Sequence, residues 1–368
     1  MTGEGVYMWS NGDKFEGLFN ADKRHGRGTH HFVDGNNYTG DWINDTRTGQ
    51  GIFTWFDGGK YEGQFITGNR HGRGTHLYSN GDNYTGDWIN DERTGNGVFT
   101  WFKGAKYKGQ FNASNRHGRG AHFYSDGSNY TGDWVNDMRT GEGILTFFNG
   151  DKYEGQYEND KMHGRGTYYF AKGDNYTGDW NNDTMTGEGI LTWASGAKYE
   201  GQFKAGYRHG RGTQIFSNGS NYTGDWINHT RTGYGVLTWP SGGKYEGQFN
   251  SGNRHGRGTQ LYSDGSNYTG DWINDKRTGQ GVFVWGTQSK SAGDIFEGQF
   301  KENKMYGRGT YHYADGKKYI GDWINDTMTG EGMFTWPNGD SYPGNITDGK
   351  FDRMGKMQYS AGKVEQGL

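Results

Sequence analysis

Histidine recurs on a lattice at His25, His71, His117, His163, His209 and His255, with Tyr306 in the seventh place. Imidazoles in regular array could hold a metal ion. Coordination needs several ligands about 2 Å from one ion. Copies 46 residues apart would lie four strands, or ~19 Å, apart in a sheet. The column therefore reads as turn caps rather than a metal centre, and no cofactor is expected. Carboxylates such as Glu62 and Asp87 are copied in the same way. Acid–base catalysis needs one unsymmetrical constellation in a pocket, so the copies argue for a lattice and against an enzyme. The Gly-Arg-Gly triplets lack the Gly-Lys-Ser/Thr that opens a helix in a phosphate loop.

A second column alternates between charge and sulfur. Arg24, Arg47, Arg70, Arg93, Arg116 and Arg139 are followed by Met162 and Met185, then by Arg208, Arg231, Arg254 and Arg277, then by Met305 and Met328. Asp45, Asp91, Asp137, Asp183, Asp275 and Asp326 stand nearby, with His229 the exception. A basic ridge could meet anionic phospholipid or an acidic protein surface. The preferred reading is a solvated rim in which Arg and Asp neutralise each other. The paired methionines are either two apolar docking spots or copies made by duplication.

These columns are set by a repeat, which must be settled before any fold is argued. An aromatic-x-Gly-x-aromatic opening falls at Phe15, Tyr38, Tyr61 and every 23 residues to Tyr268, then at Phe296, Tyr319 and Tyr342. The step to Phe296 is 28, which places a five-residue insertion near 286–295. Two variants alternate, YEGQF…RHGRG and YTGDW…RTGxG, for a larger period of 46. Within Tyr61–Phe65, Tyr61, Gly63 and Phe65 share one face by strand alternation. In the following run, Gly72, Gly74, His76 and Tyr78 do the same. A loop over 66–71 pairs Phe65 with Gly72, and a loop over 79–83 pairs Trp88 with Gly74. Both registers set flat rings over bare glycine backbone, the cross-strand device known as aromatic rescue. Each such pair contributes roughly 0.2–1 kcal/mol, so stability should accumulate along the array.

Composition agrees with a thin, aromatic-glued sheet. The chain has 70 Gly, 14 Trp, 26 Tyr and 21 Phe but is only 30% hydrophobic, too little for a layered core. A net charge of −3 offers no bulk attraction for nucleic acid, and no nucleic-acid partner is expected. With no cysteine, disulfides and thiolate metal sites are excluded. The N-terminus shows no secretory pattern. Sequons such as Asn37-Tyr38-Thr39 read as repeated turn sequence, and the default setting is soluble and intracellular. Residues 1–14 are the second half of a repeat, which suggests a missing upstream segment or a partner pairing with the exposed edge. Residues 342–368 degrade the frame, with Pro343, Ile346 and Arg353-Met354-Gly355 replacing the standard residues, as a capping segment would.

At YEGxF/W…HGxG…Y…G the chain resembles the MORN repeat, over about Phe15 to Tyr342 plus the partial ends. The resemblance implies an all-β fold: an elongated, single-layer antiparallel β-meander of 23-residue hairpins, curved into a half-pipe with aromatics lining its groove. About 29 strands at ~4.8 Å give near 140 Å before twist. The rival is a propeller, since 46 residues approximates one blade, but the two halves of each 46 are near-equal. Relatives of this kind serve as scaffolds in radial spoke heads and protist cytoskeletons, or bridge membranes. The RTGxG variant departs from the family's HGxG, which leaves open whether alternate hairpins bind the same things.

One face of a one-layer sheet stays uncovered, and an exposed aromatic strip marks a partner surface. The groove residues expected to bind are Trp42, Phe65, Trp88, Phe111, Trp134, Tyr157, Trp180, Phe203, Trp226, Phe249, Trp272, Phe300 and Trp323. The sequence thus points to a non-enzymatic scaffold for proteins of a cytoskeletal or axonemal complex in a cilium, with a homodimer left open. The alternatives are a membrane adaptor holding anionic lipid on the Arg rim and, given a secretory signal, an extracellular carbohydrate-binding array.

Overall fold

The computed structural model describes residues 1–352 and 355–366 of the 368. Among them are 33 strands and no helix. The chain divides into two compact units, Met1–Thr184 and Met185–Leu368.

The first unit begins with β1 (Gly3–Met8), β2 (Lys14–Asn20), β3 (Lys23–His31), β4 (Asn37–Ile43) and β5 (Thr46–Thr54). It continues with β6 (Lys60–Ile66), β7 (Asn69–Leu77), β8 (Asn83–Ile89), β9 (Glu92–Thr100) and β10 (Lys106–Asn112), and on to Asn175–Asn181. Each strand pairs antiparallel with the strand before it and the strand after it. This unbroken ladder excludes the propeller, whose blades would interrupt the pairing every four strands.

Two kinds of turn alternate, one on each edge of the sheet. On the first edge, Asn44-Asp45 and Asn90-Asp91 hold positive φ at both residues, the conformation of a two-residue hairpin whose twist matches that of its strands. On the second edge a turn such as Trp55–Gly59 is closed by Trp55 N–H to Gly59 O at 2.9 Å and Gly58 N–H to Trp55 O at 3.1 Å. Asp57 Oδ1 accepts the Gly59 N–H at 3.0 Å.

The tight first-edge turn corrects the expected register. Only Thr67 and Gly68 form it, so β7 starts at Asn69, and Phe65 lies opposite Arg70, not Gly72. On the other side Phe65 faces Gly49. Trp88 faces Gly72, and Gly74 faces Gly86. A bulge between Gly63 and Gln64 absorbs two residues of β7, Gly72 and Arg73. Gly72 sits at that bulge with φ of +56°, and a Cβ there would strike the Gln64 side chain. The first glycine of Gly-x-Gly is thus needed for the bulge, and only the second lies beneath a ring.

The glycines form a row: Gly40, Gly51, Gly63, Gly74, Gly86, Gly97 and Gly109 are successive cross-strand partners. A Cβ on Gly63 would come within 2.5 Å of Gly74 Cα and 2.6 Å of Arg73 O. On Gly74 it would lie no more than 2.5 Å from the Tyr61 hydroxyl oxygen and two atoms of its ring. The opening ring therefore covers its own glycine and the next, and its hydroxyl donates to the Gln64 carbonyl at 3.1 Å. Opening aromatics from Phe15 to Tyr342 are fully buried. Rings and glycines share a face, as the alternation predicts.

The second unit repeats the pattern from Thr184–Thr192 onward, with Gly189, Gly201, Gly212 and Gly224 in the row. The insertion is an enlarged turn packed against its neighbour, with Gly286 N–H donating to Ser266 Oγ at 2.9 Å. It leaves the ladder intact, since Gly281 still faces Gly298. Near the end, buried Ile346 takes the aromatic position and faces Gly330. The replacement at Arg353 and Met354 lies outside the described residues.

Candidate interaction surface

The aromatic face is built in tiers. Each opening ring meets its neighbours edge to face: Tyr61 to Phe65 at 5.2 Å and 88°, Tyr61 to Trp88 at 5.4 Å and 85°. Tyr38 also meets Phe65, so the contacts run on from repeat to repeat. Such geometry adds roughly 0.5–1.5 kcal/mol per pair beyond area burial. The Trp88 indole N–H donates to Gly74 O at 3.2 Å, and Trp42, Trp134, Trp180, Trp226 and Trp272 repeat that bond.

This packing corrects the expected groove. The thirteen aromatics from Trp42 and Phe65 to Phe300 and Trp323 are only 1–6% exposed. They are interior to the face. Over most of them lies the arginine column, which pairs with Asp as expected but is turned in over the rings rather than solvated as a rim. Arg70 lies 4.4 Å above the Trp88 ring, its Nε donates to Asp91 Oδ1 at 2.8 Å, and its Nη2 donates to Asp91 O at 3.1 Å. Its Nη1 donates to His76 Nδ1 at 2.9 Å. Arg116 repeats the set with Trp134, Asp137 and His122. Arg47 and Arg93 lie over Phe53 and Phe99, and Arg139 lies over Tyr157. The guanidinium forks are turned in, paired and stacked. Arg70 and Arg139 leave only 19% of the side chain exposed.

Sequence reasoning missed the histidine beside Arg24, Arg70 and Arg116. Burial, and then the Arg70 charge, hold His76 far below its usual range, at about 4, and His122 likewise. The signal was present: the position reads His30, His76, His122, Tyr168, Gln214, Gln260, Tyr311, and turns to Tyr where the arginine becomes Met162 or Met305. Freed of an arginine, Tyr168 and Tyr311 donate instead to Asp151 and Asp294, at 2.9 and 2.6 Å.

The other histidine column points to the opposite face. His71 pairs in register with Gln64 beside the bulge. Among the described residues the Nδ1 atoms of His25, His71, His117, His163, His209 and His255 have no hydrogen-bond partner, and His71 lies within β7 rather than in the turn, which corrects the turn-cap expectation. Among the described residues no three His, Asp or Glu side chains converge on one point.

The most exposed of the large apolar side chains lie instead on the second edge. Phe56, Phe102 and Phe148 follow the turn aromatic in alternate turns of the first unit and are 75%, 75% and 76% exposed. Beside Phe102 a depression of about 560 Å³ is lined by Asn80, Asp82, Trp101, His122, Tyr124 and Ser125 among others.

Residues 1–290 and 296–341 match fifteen consecutive copies of the MORN repeat. The chain belongs to the MORN-repeat family. Membership assigns it to repeat scaffolds for protein or membrane interaction. No curated protein matches it. Solved structures with some likeness include the TCP10 domain of Danio rerio CPAP in complex with a peptide of Danio rerio STIL. That match is 11% identical, covers 65% of this chain and 95% of that one, and has a TM-score of 0.30. The TCP domain of Drosophila melanogaster SAS-4, in complex with a proline-rich motif of Ana2, is 11% identical over 56% and 84% at 0.23. At such scores neither likeness bears on function.

Proposed function

We propose that this MORN-repeat chain is a non-enzymatic scaffold that docks protein segments of a cytoskeletal assembly, such as the radial spoke of a ciliary axoneme. The observation that carries the protein-docking part is the division of labour on the aromatic face. Its recurring polar groups are spent on one another, while apolar side chains remain open at its edge. The axonemal setting rests on the resemblance to radial-spoke scaffolds. The anionic-lipid reading loses its main support, because the arginines meant to hold headgroups are stacked on rings and bonded to Asp91, Asp137 and Asp160.

Crosslinking with mass spectrometry on native complexes tests this. Crosslinks from cytoskeletal proteins to lysines bordering the aromatic face are expected. Absence of protein crosslinks, together with salt-sensitive flotation on anionic vesicles, would replace the scaffold with the adaptor.

A further inference from the structure

The second edge of the first unit carries three phenylalanines that the fold does not use. Phe56, Phe102 and Phe148 stand at equivalent places in alternate turns, 46 residues apart, which is four strands or ~19 Å along the sheet. Each is about three-quarters exposed, an expensive way to leave a large apolar side chain. Their turns are pinned. Phe56 N–H donates to Asn36 Oδ1 at 2.9 Å, Phe102 N–H to Asp82 Oδ1 at 2.8 Å and Phe148 N–H to Ser128 Oγ at 3.1 Å. The rings are therefore presented from fixed points, which lowers the entropic cost of binding.

The second unit lacks this feature. The same position holds Ala194, Pro240, Gly286 and Pro337. If phenylalanine were needed for the turn, those four copies could not fold as they do.

The charge around the rings selects the occupant. Asp34, Asp57, Asp82 and Asp126 sit in the same row of turns, and none makes an ion pair among the described residues. Their carboxylates bond only to nearby N–H groups of the turns. Lys103 and Lys172 are the cations at these tips. We infer that this edge docks an extended protein segment in which apolar side chains recur about every six residues, with Lys or Arg between them. Six residues of extended chain span ~20 Å, the interval between the phenylalanines. One apolar anchor enters the depression between Trp101, Phe102 and Tyr124, and the basic side chains meet the unpaired carboxylates. An anionic bilayer would be repelled by the same acids.

The inference deepens the scaffold reading and rests on it. The test uses the full chain and synthetic thirteen-residue peptides with leucine at the first, seventh and thirteenth positions. Lysine fills alternate intervening positions in one peptide and glutamate in the other, and fluorescence anisotropy reads binding. The lysine peptide should bind at least tenfold tighter than the glutamate peptide. It should lose at least tenfold in F56S/F102S/F148S and nothing in P240S/P337S, with the circular dichroism of both variants unchanged. Equal binding of the two peptides, or of wild type and the triple variant, overturns the inference. So does association of the wild type with phosphatidylcholine vesicles that the triple variant loses, because the rings would then be lipid anchors. If the triple variant keeps the native crosslinks, the edge fails and the scaffold stands. If wild type yields no protein crosslinks, the scaffold itself fails.

Discussion

Trp88 in the first unit and Trp272 in the second occupy interchangeable surroundings. Each is buried, each bonds to a glycine carbonyl at 3.2 or 3.1 Å, and each lies 4.4 Å beneath an arginine that is tied to an aspartate. Phe102 in the first unit and Pro240 in the second occupy equivalent places and share nothing else. Inside the lattice a change is felt on both neighbouring strands, so copies stay alike. At a turn tip the side chain touches little, and copies are free to diverge. In a repeat array the constant residues report the fold, and the inconstant ones are where recognition can be built.

That contrast can be strained in several ways. The largest effect is expected inside: Trp88→Ala and Trp272→Ala should each cost about 4 kcal/mol, equal within error, as read from denaturant unfolding of the full chain. Unequal losses would mean that the two interiors are not equivalent. Gly74→Ala and Gly258→Ala come next, at about 2–3 kcal/mol, because the added methyl strikes a buried tyrosine that has little room to move. Local loss of hydrogen-exchange protection on the flanking strands would locate the damage.

Acid should then separate the units. His76 and His122 are buried neutral with values near 4, against an ordinary 6.5. The unfolded chain binds their protons first, so the first unit loses stability as pH falls from about 6.5 toward 4, with no further loss from these groups below that. Gln214 and Gln260 stand in the corresponding places of the second unit and do not titrate. Hydrogen exchange at pH 7 and pH 5, corrected for intrinsic rate, should show strands around His76 loosening more than those around Gln260. His76→Gln should remove the difference locally. The smallest effect on stability belongs to the tips: F56S/F102S/F148S should change the free energy of unfolding by less than about 0.5 kcal/mol. A larger loss would show that the rings are structural after all.

The repeat frame, the strand content, the shared face of Tyr61, Gly63 and Gly74, and the insertion after Trp285 were all legible in the sequence, because each leaves a periodic trace. Register was not. It hinges on whether 66–71 is a loop or a two-residue turn followed by a bulge, and Gly72 serves either reading until its positive φ is seen. The direction of Arg70 was also hidden. The residues it binds, Asp91 and His76, lie 21 and 6 positions away, and a charged side chain near a turn reads by default as solvated. The covariation of His76 with Arg70 could have exposed the pairing. The phenylalanine tips were missed because residues of one type on a long period look like noise beside a 23-residue frame, although Phe56, Phe102 and Phe148 keep strict step with it.

The central contact is a tyrosine packed over the glycine of the next strand, and a double-mutant cycle reaches it directly. Gly74→Ala is measured in wild type and again in Tyr61→Leu, which removes the hydroxyl oxygen and two ring carbons that a Cβ at Gly74 would strike. A coupling of about 2 kcal/mol is predicted, with the alanine far better tolerated once the ring is gone, and the same for Gly258 with Tyr245. Additive losses at both places would contradict it.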